Sequence, residues 1–277
     1  MDSQDAPRRT VFFISDRTGI TAETLGHSLM TQFDLEFEQV TLPFVDSVER
    51  ARKVVEQINR LTVSGAPRPI VFSTVVQDEV RAQLRDSSAA FFDFFDAFIS
   101  PLENELRVKS SHAIGQAHGL GNRQQYDVRI DAINFALSHD DGATTRNYDK
   151  ADIIIIGVSR TGKTPVSLYL ALQYGIFAAN YPLTEEDIME TGLPRVLHPF
   201  RSKLYGLSIA PERLHTIRNE RRPNSRYASI QQCQIEVMRA EGLFRKNRIP
   251  FLNSTTVSIE EIATTIIHQF GLKRRVH

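Results

Sequence analysis

The chain has 277 residues, 41% of them hydrophobic and 24% charged, which is enough for one large domain or two ordinary ones. Its 33 basic and 33 acidic residues balance, so the charge gives no indication of nucleic acid as a partner. The polar start lacks a signal-peptide core, no apolar run approaches the roughly 20 residues that span a membrane, and the single cysteine, Cys233, excludes an intrachain disulfide. We therefore expect a cytoplasmic protein with no membrane partner.

In the first part of the chain, short apolar runs alternate with segments of helical periodicity. The apolar runs predict strands at 10–14, 37–42 and 70–75. The helical pattern predicts helices at 21–33, 48–61, 78–85, 89–99 and 126–138. Strands that alternate with helices favour a parallel sheet, so we expect an N-terminal parallel-sheet α/β domain over residues 1–148.

The rest of the chain continues this alternation. Strands are predicted at 151–156, 176–180, 203–209 and 249–254. Helices are predicted at 166–174, at 211–218, in a long segment that ends near 247, and at 258–267. We expect residues 149–277 to form a second α/β domain, a phosphate-loop domain with the proportions of a small kinase.

The segment between the strand at 151–156 and the next helix carries the clearest chemical signal. It reads G-V-S-R-T-G-K-T, a complete Gly-x4-Gly-Lys-Thr phosphate-binding loop. Its residues are Gly157, Val158, Ser159, Arg160, Thr161, Gly162, Lys163 and Thr164. A preceding strand and a following helix are the context that this motif requires. The motif predicts a nucleotide-phosphate site, and the alternative is a glycine-rich turn with a solvent-facing lysine.

The residue types of this loop suit a polyphosphate. Gly157 and Gly162 allow turns in which successive N–H groups point inward, and the following helix adds the positive end of its dipole. Lys163 is predicted to reach the terminal phosphates, and the Thr164 hydroxyl to ligate a Mg²⁺ ion that bridges them. Arg160 is a further cation for a phosphate or a transferring group.

Two other places offer candidate catalytic residues. Asp16 directly follows the first strand, where parallel-sheet proteins place ligand contacts, although it could instead cap the next helix through a turn. His139 and Asp140 belong to the polar turn 139–142. This turn offers a general base or metal contacts, and its alternative role is to end a helix at a glycine.

Arg222 belongs to the basic stretch 218–226, which either neutralises a transferring phosphoryl group or forms a solvated helix end. Phosphate-loop proteins commonly hold magnesium with a second aspartate at the end of an apolar strand. No such residue is evident, because Ala-Pro-Glu follows Ile209 and Asp152 precedes its strand. This argues against a motor-type or switch-type hydrolase and favours a small kinase-like unit.

Four motifs in one order, at 15–23, 139–142, 157–165 and 221–233, resemble those of a single family. They are similar to the phosphoenolpyruvate synthase regulatory proteins, whose sister group acts on pyruvate, phosphate dikinase. The resemblance runs from about residue 10 to the C-terminus. The first motif reads S-D-R-T-G-I-T-A-E here, with Arg17 where the family has a glycine.

The resemblance implies a bifunctional enzyme. Such an enzyme phosphorylates a threonine of its target with ADP as donor, which inactivates the target, and removes that phosphate with inorganic phosphate, which releases pyrophosphate. The loop 157–164 would be the ADP site, with Lys163 on the β-phosphate and Arg160 and the basic stretch around Arg222 neutralising the transition state. Asp16, His139 and Asp140 are candidates for the general base.

Three functions compete at this point. The first is the kinase and phosphorylase described above, with phosphoenolpyruvate synthase as expected partner and the dikinase as the alternative target. The second is a small-molecule kinase, which the compact C-terminal half alone would suit. The third is a nucleotide-binding module without chemistry, which the missing aspartate favours. If the chain self-associates, a homodimer is the expected form.

Overall fold

The computed structural model describes residues 8–111, 123–142, 144–189 and 192–276. The chain divides into two compact units, residues 1–119 and 120–277. Each unit contains one four-stranded sheet whose strands are all parallel and alternate with helices. The predicted α/β fold class is confirmed.

Unit 1 is built on a sheet of strand order β2-β1-β3-β4. Its strands are β1 (Arg9–Ile14), β2 (Phe37–Leu42), β3 (Ile70–Ser73) and β4 (Ala90–Asp93). Its helices are α1 (Ile20–Met30), α2 (Val48–Val63), α3 (Asp78–Arg85) and α4 (Phe94–Leu106). Successive β1 side chains enter two different core clusters, because side chains of a strand alternate between the faces of its sheet.

The segment 89–99 was predicted as one helix, and this was wrong in its first part. Residues Ala90–Asp93 form strand β4, which pairs in parallel with β3. A short continuous apolar run does not distinguish a buried strand from a helix by its periodicity. The helix begins only at Phe94, where the Asp93 side chain accepts a hydrogen bond from the N–H of Asp96 at 3.0 Å and caps it.

Unit 2 is built on a sheet of strand order β6-β5-β7-β8. Its strands are β5 (Ile153–Gly157), β6 (Ala178–Pro182), β7 (Leu204–Ser208) and β8 (Phe251–Asn253). Its helices are α5 (Arg123–Ser138), α6 (Lys163–Tyr174), α7 (Glu185–Met189), α8 (Pro211–Arg221), α9 (Ile230–Asn247) and α10 (Ile259–Phe270). Within the described ranges, no helix is both long and apolar enough to cross a membrane.

Helix α5 was expected in the N-terminal domain, but it belongs to unit 2. Ala132 and Ala136 of α5 pack against Ala171 of α6. The ring of Phe135 stacks on that of Phe177, with centroids 5.1 Å apart. The observed division therefore falls one helix earlier than the predicted boundary at 148/149, within the stretch 112–122 that lies outside the described residues.

Strand β5 is the structural centre of unit 2. It pairs with β6 on one side and β7 on the other, and its four isoleucines are fully buried. Ile154 and Ile156 face the cluster that includes α9, whereas Ile153 and Ile155 face the cluster formed with α6 and α10. A strand covered on both faces holds its carboxyl end rigidly, and the predicted phosphate loop begins at that end.

Candidate functional site

The loop between β5 and α6 has a backbone that only certain residues permit. A Cβ atom added to Gly157 would lie 2.4 Å from the carbonyl oxygen of Leu207, so this position has no room for a side chain. Gly162 precedes α6 with a φ of 92°, and Arg160 has a φ of 77°. Left-handed backbone of this kind is what turns the loop back towards the helix N-terminus.

Lys163 is enclosed by the loop and is only 4% exposed. Its Nζ donates to the carbonyl oxygen of Val158 at 2.9 Å, which Thr161 Oγ1 also approaches at 3.1 Å. Burial lowers the pKa of Lys163 to about 8, an effect that the neighbouring carboxylates of Asp141 and Asp140 oppose. The alternative of a glycine-rich turn with a solvent-facing lysine does not describe this loop.

A buried arginine forms a hydrogen bond with the backbone of the phosphate loop. Arg218 of α8 is completely buried, donates to the carbonyl oxygen of Ser159 at 3.1 Å and pairs with Glu236 of α9 at 2.7 Å. Its guanidinium lies over the ring of Tyr227, 4.1 Å from the centroid, and the Tyr227 hydroxyl is 3.0 Å from Ser159 Oγ. Arg218 therefore holds the loop in place and is not a surface cation.

The remainder of the basic stretch is solvated. Arg221 and Arg222 are exposed at the end of α8. Arg226 is exposed and pairs with Glu185 of α7 at 2.8 Å. Arg160, in the loop itself, is also exposed. Of the predicted cations, Arg160 and Arg222 thus have side chains free to meet a substrate, and their catalytic roles stay predictions.

The expected second acidic residue lies beside the loop, although no strand end supplies it. Asp140 comes from the turn after α5, and its Oδ1 accepts a hydrogen bond from Thr164 Oγ1 at 2.7 Å. Asn180 of β6 joins the same pair: its Nδ2 lies 2.5 Å from Asp140 Oδ1 and 3.1 Å from Thr164 Oγ1. A carboxylate therefore does contact the threonine of the motif, contrary to the absence inferred from the strand ends.

His139 is placed as a structural residue. It is buried, its ring stacks on Phe135 at 4.0 Å, and each ring nitrogen lies 2.7 Å from a backbone carbonyl oxygen, that of Phe135 for Nδ1 and that of Arg146 for Nε2. Nδ1 also lies 3.0 Å from Ser138 Oγ, so both ring nitrogens are engaged in contacts within the protein. This geometry disfavours the predicted role of His139 as general base.

Asp16 lies in unit 1, at the carboxyl end of β1. The residue is 5% exposed, and its carboxylate accepts a hydrogen bond from the N–H of Val76 at 2.9 Å. It thus joins the loop after β1 to the loop after β3, and the N-cap of α1 is Gly19. The alternative in which Asp16 caps α1 is not what the structure contains, and a catalytic role for Asp16 stays a prediction.

Sequence reasoning missed several residues that shape this site, above all Asn180 and Glu236. Asn180 ends the predicted strand 176–180, and a polar residue at the carboxyl end of a strand beside β5 was an available signal. The pairing of Glu236 with Arg218 could not be predicted, because the pattern of a helix does not identify the partner of a charged residue. Among the described residues, no group of three His, Cys, Asp or Glu side chains could hold a metal ion, so any metal here would rely on Thr and Asn oxygens as well.

The fold and this loop agree with the class of protein that the sequence motif predicts. A parallel sheet whose central strand leads through Gly-x4-Gly-Lys-Thr into a helix, with a buried lysine and a carboxylate on the threonine, characterises phosphate-loop α/β proteins. A family model described as kinase/pyrophosphorylase matches residues 11–267. The chain belongs to this kinase/pyrophosphorylase family, whose description indicates phosphotransferase activity.

The chain is also similar in sequence to several relatives over nearly its whole length. A protein of Halorhodospira halophila is 61% identical over 269 residues, covering 97% of this chain and 98% of its own length. One of Alkalilimnicola ehrlichii is 61% identical over 270 residues, with 98% of each chain covered. One of Legionella pneumophila is 54% identical over 270 residues, with 97% and 100% covered. All three are named as phosphoenolpyruvate synthase regulatory proteins.

Proposed function

We propose that this protein transfers the β-phosphate of ADP to a threonine of phosphoenolpyruvate synthase, and that it removes this phosphate by transfer to inorganic phosphate. The observation that carries the proposal is the contact of Asp140 with Thr164 beside the buried Lys163. Membership of the kinase/pyrophosphorylase family and the names of the relatives support the choice of reactions and target.

The loop 157–164 would bind the diphosphate through backbone N–H groups and the N-terminus of α6, which begins without a side-chain cap. Lys163 now donates to the Val158 carbonyl oxygen and would exchange that contact for a phosphate oxygen. A bound anion would also raise the pKa of Lys163, which burial has lowered to about 8, and keep the lysine charged. A cation held inside the loop stabilises the β-phosphate as charge redistributes during transfer.

A magnesium ion fits the residues beside the loop. The Thr164 hydroxyl and the Asp140 carboxylate supply oxygen atoms, the type of ligand that Mg²⁺ prefers, and Asn180 Oδ1 is a buried acceptor with no partner among the described residues. When bound, the ion would neutralise phosphate charge. Asp140 and Asn180 hold the Thr164 hydroxyl in place for it.

The threonine of the target must lose its proton as its oxygen bonds to phosphorus and AMP departs. Asp141 lies in the same turn as Asp140, is exposed, and its negative charge opposes the lowering of the Lys163 pKa. Asp140 already accepts from Thr164 and Asn180, which suits a supporting role. We therefore propose Asp141 as general base, beside the earlier candidates Asp140 and Asp16.

One loop suffices for both reactions. In the first, a phosphoryl group moves from an oxygen of the AMP α-phosphate to the threonine oxygen. In the second, it moves from the threonine oxygen to an oxygen of inorganic phosphate, which yields pyrophosphate and restores the threonine hydroxyl. In each case the group moves between a threonine and a second phosphate, so one set of phosphate contacts can stabilise both transition states.

The test uses ADP labelled in its β-phosphate with phosphoenolpyruvate synthase, with pyruvate, phosphate dikinase, and with a mixture of small metabolites. We expect label on a threonine of the synthase, and labelled pyrophosphate after unlabelled inorganic phosphate is added. Label on the dikinase alone would change the target, and label on a metabolite would replace the proposal with a small-molecule kinase. No transfer to any acceptor would leave a nucleotide-binding module.

A further inference from the structure

The side-chain amide of Asn180 contacts two residues beside the phosphate loop. Asn180 is completely buried in β6, and its Nδ2 lies within hydrogen-bond distance of both Asp140 Oδ1 and Thr164 Oγ1. Its Oδ1, by contrast, is buried without a hydrogen-bond partner in the described part of the chain. Buried polar atoms nearly always have a partner, and this orphaned oxygen belongs to the side chain that also contacts Asp140 and Thr164, two residues with oxygen atoms suited to a cation.

The orientation of this amide follows from its neighbours. Asp140 Oδ1 already accepts a hydrogen bond from Thr164 Oγ1, so the Asn180 atom that lies 2.5 Å from this acceptor is the NH₂ group. The opposite orientation would press two oxygen atoms together. The neighbouring atoms thus fix the orientation of the amide, and Asn180 Oδ1 is the atom that has no hydrogen-bond partner among the described residues.

The backbone N–H and carbonyl oxygen of Asn180 both form hydrogen bonds. Its N–H donates to the carbonyl oxygen of His139 at 3.1 Å, and its carbonyl oxygen accepts from the Tyr148 hydroxyl at 3.3 Å. Asn180 thus joins the turn that carries Asp140 to the helix that carries Thr164. The Thr164 hydroxyl donates to Asp140 and accepts from Asn180, which leaves one lone pair for a cation.

We propose that Asn180 is a positioning residue of a divalent-cation site, an inference that rests on the proposed function and deepens it. Its NH₂ group holds the Asp140 carboxylate and the Thr164 hydroxyl together, and its Oδ1 accepts a hydrogen bond from a water molecule of the hydrated cation. Mg²⁺ retains several waters in protein sites, and their hydrogens point away from the ion towards such acceptors. Outer partners of this kind typically contribute about 10- to 100-fold to metal affinity.

The test measures Mn²⁺ in place of Mg²⁺, because free Mn²⁺ is quantified directly by electron paramagnetic resonance. Asn180→Leu keeps the size of the side chain and removes both polar groups. We expect it to raise the Kd for Mn²⁺ in the presence of ADP by at least about tenfold. In EDTA, its Kd for ADP should stay within about twofold of the wild-type value, because the loop contacts are retained.

The matched control is Ser167→Ala. Ser167 lies on α6, is 2% exposed, and its Oγ is a second buried atom without a partner in the described residues. This variant removes an orphaned oxygen outside the proposed cation site, so its Kd for Mn²⁺ should match that of the wild type. An equal loss in both variants would overturn the proposal.

A second variant keeps the test decisive if Asn180→Leu fails to fold. Asn180→Asp places a carboxylate against Asp140, and a divalent cation offsets the resulting repulsion. The rise in Tm that Mn²⁺ and ADP produce should therefore exceed the wild-type rise, and an unchanged rise would overturn the proposal. If the wild type itself binds no Mn²⁺ with ADP, the proposed function fails, whereas wild-type binding that Asn180→Leu retains in full refutes only the role of Asn180.

Discussion

The two units of this chain share one sheet topology but differ in what lies at the same edge of the sheet. In both, the first strand is second in the sheet order, and five residues, 15–19 or 158–162, connect it to the next helix. Each of these helices begins after a glycine in left-handed conformation, Gly19 with a φ of 82° and Gly162 with a φ of 92°, and neither has a side-chain cap. Each unit therefore has an uncapped helix N-terminus whose unpaired N–H groups can bind an anion.

The buried charged side chains at these two edges have opposite sign. In unit 1, the buried carboxylate of Asp16 occupies the edge and bonds the N–H of Val76. In unit 2, the buried ammonium of Lys163 occupies it, with Thr164 linked to Asp140 nearby. The buried charge repels a phosphate at the first edge and attracts it at the second, whereas the exposed Arg17 lies at the first edge and the carboxylates of Asp140 and Asp141 lie near Lys163 at the second. Topology supplies an uncapped helix start, and the residues of the loop decide which ligand it suits.

The largest expected effect comes from Lys163→Ala, which removes the charge that distinguishes the two edges. We expect phosphoryl transfer from ADP to fall by about 10³-fold, since loss of one transition-state donor commonly costs 10²–10³ in rate. The Tm without ligand should not fall, because the variant removes a buried cation. Transfer assays and thermal unfolding measure the two quantities. Near-normal transfer would show that the loop of unit 2 is not the phosphate site.

Some features of the two units could be predicted from the sequence, and others could not. The loop 157–164 was predictable because glycine, lysine and threonine act there through local backbone geometry, within one strand–loop–helix segment. The contact of Asp140 with Thr164 was not, because it joins positions 24 residues apart and depends on how α5 packs against α6. The same packing, invisible in the sequence, placed α5 in unit 2. Local motifs were readable, whereas side chains brought together by tertiary packing were not.

A pH titration tests whether the charge of Lys163 is what makes the unit 2 edge bind phosphate. Its pKa of about 8 lies below the value of about 10.4 in an unfolded chain. Between these values the unfolded state binds more protons, so the contribution of Lys163 to stability rises with pH. ADP affinity should change in the opposite direction and be about tenfold weaker at pH 9 than at pH 7, because the charged form is depleted.

Calorimetric titration of ADP across this pH range measures the effect, and binding at pH 8 to 9 should be accompanied by proton uptake. Lys163→Ala is the control, and its residual ADP affinity should not vary with pH over this interval. Wild-type affinity that is constant from pH 7 to pH 9 would contradict the prediction, because the charge of Lys163 would then either not titrate in this range or not contribute to ADP binding.

Equivalent glycine substitutions compare the two helix starts directly. Gly162→Ala and Gly19→Ala each place a Cβ atom on left-handed backbone, which costs roughly 1–2 kcal/mol of unfolding free energy. Gly19→Ala adds a close contact, because its Cβ would lie 3.0 Å from Thr41 Cγ2, whereas a Cβ at Gly162 would meet no non-neighbouring atom within 4 Å among the described residues. Urea unfolding should therefore show the larger loss for Gly19→Ala. ADP titration should show a several-fold loss for Gly162→Ala only, and an equal loss in both would mean that both edges serve the nucleotide.

The smallest expected effect concerns Arg222, an exposed cation that unit 2 adds at the end of α8. If Arg222 neutralises the phosphoryl group during transfer, Arg222→Ala should lower kcat several-fold and leave the Kd for ADP within about twofold, because the interaction strengthens only in the transition state. Arg221→Ala, which removes the adjacent exposed cation, is the matched control and should leave both quantities unchanged. Equal losses in kcat and ADP affinity for Arg222→Ala would make it a binding contact, and losses shared by both variants would reflect only the general positive charge of this helix end.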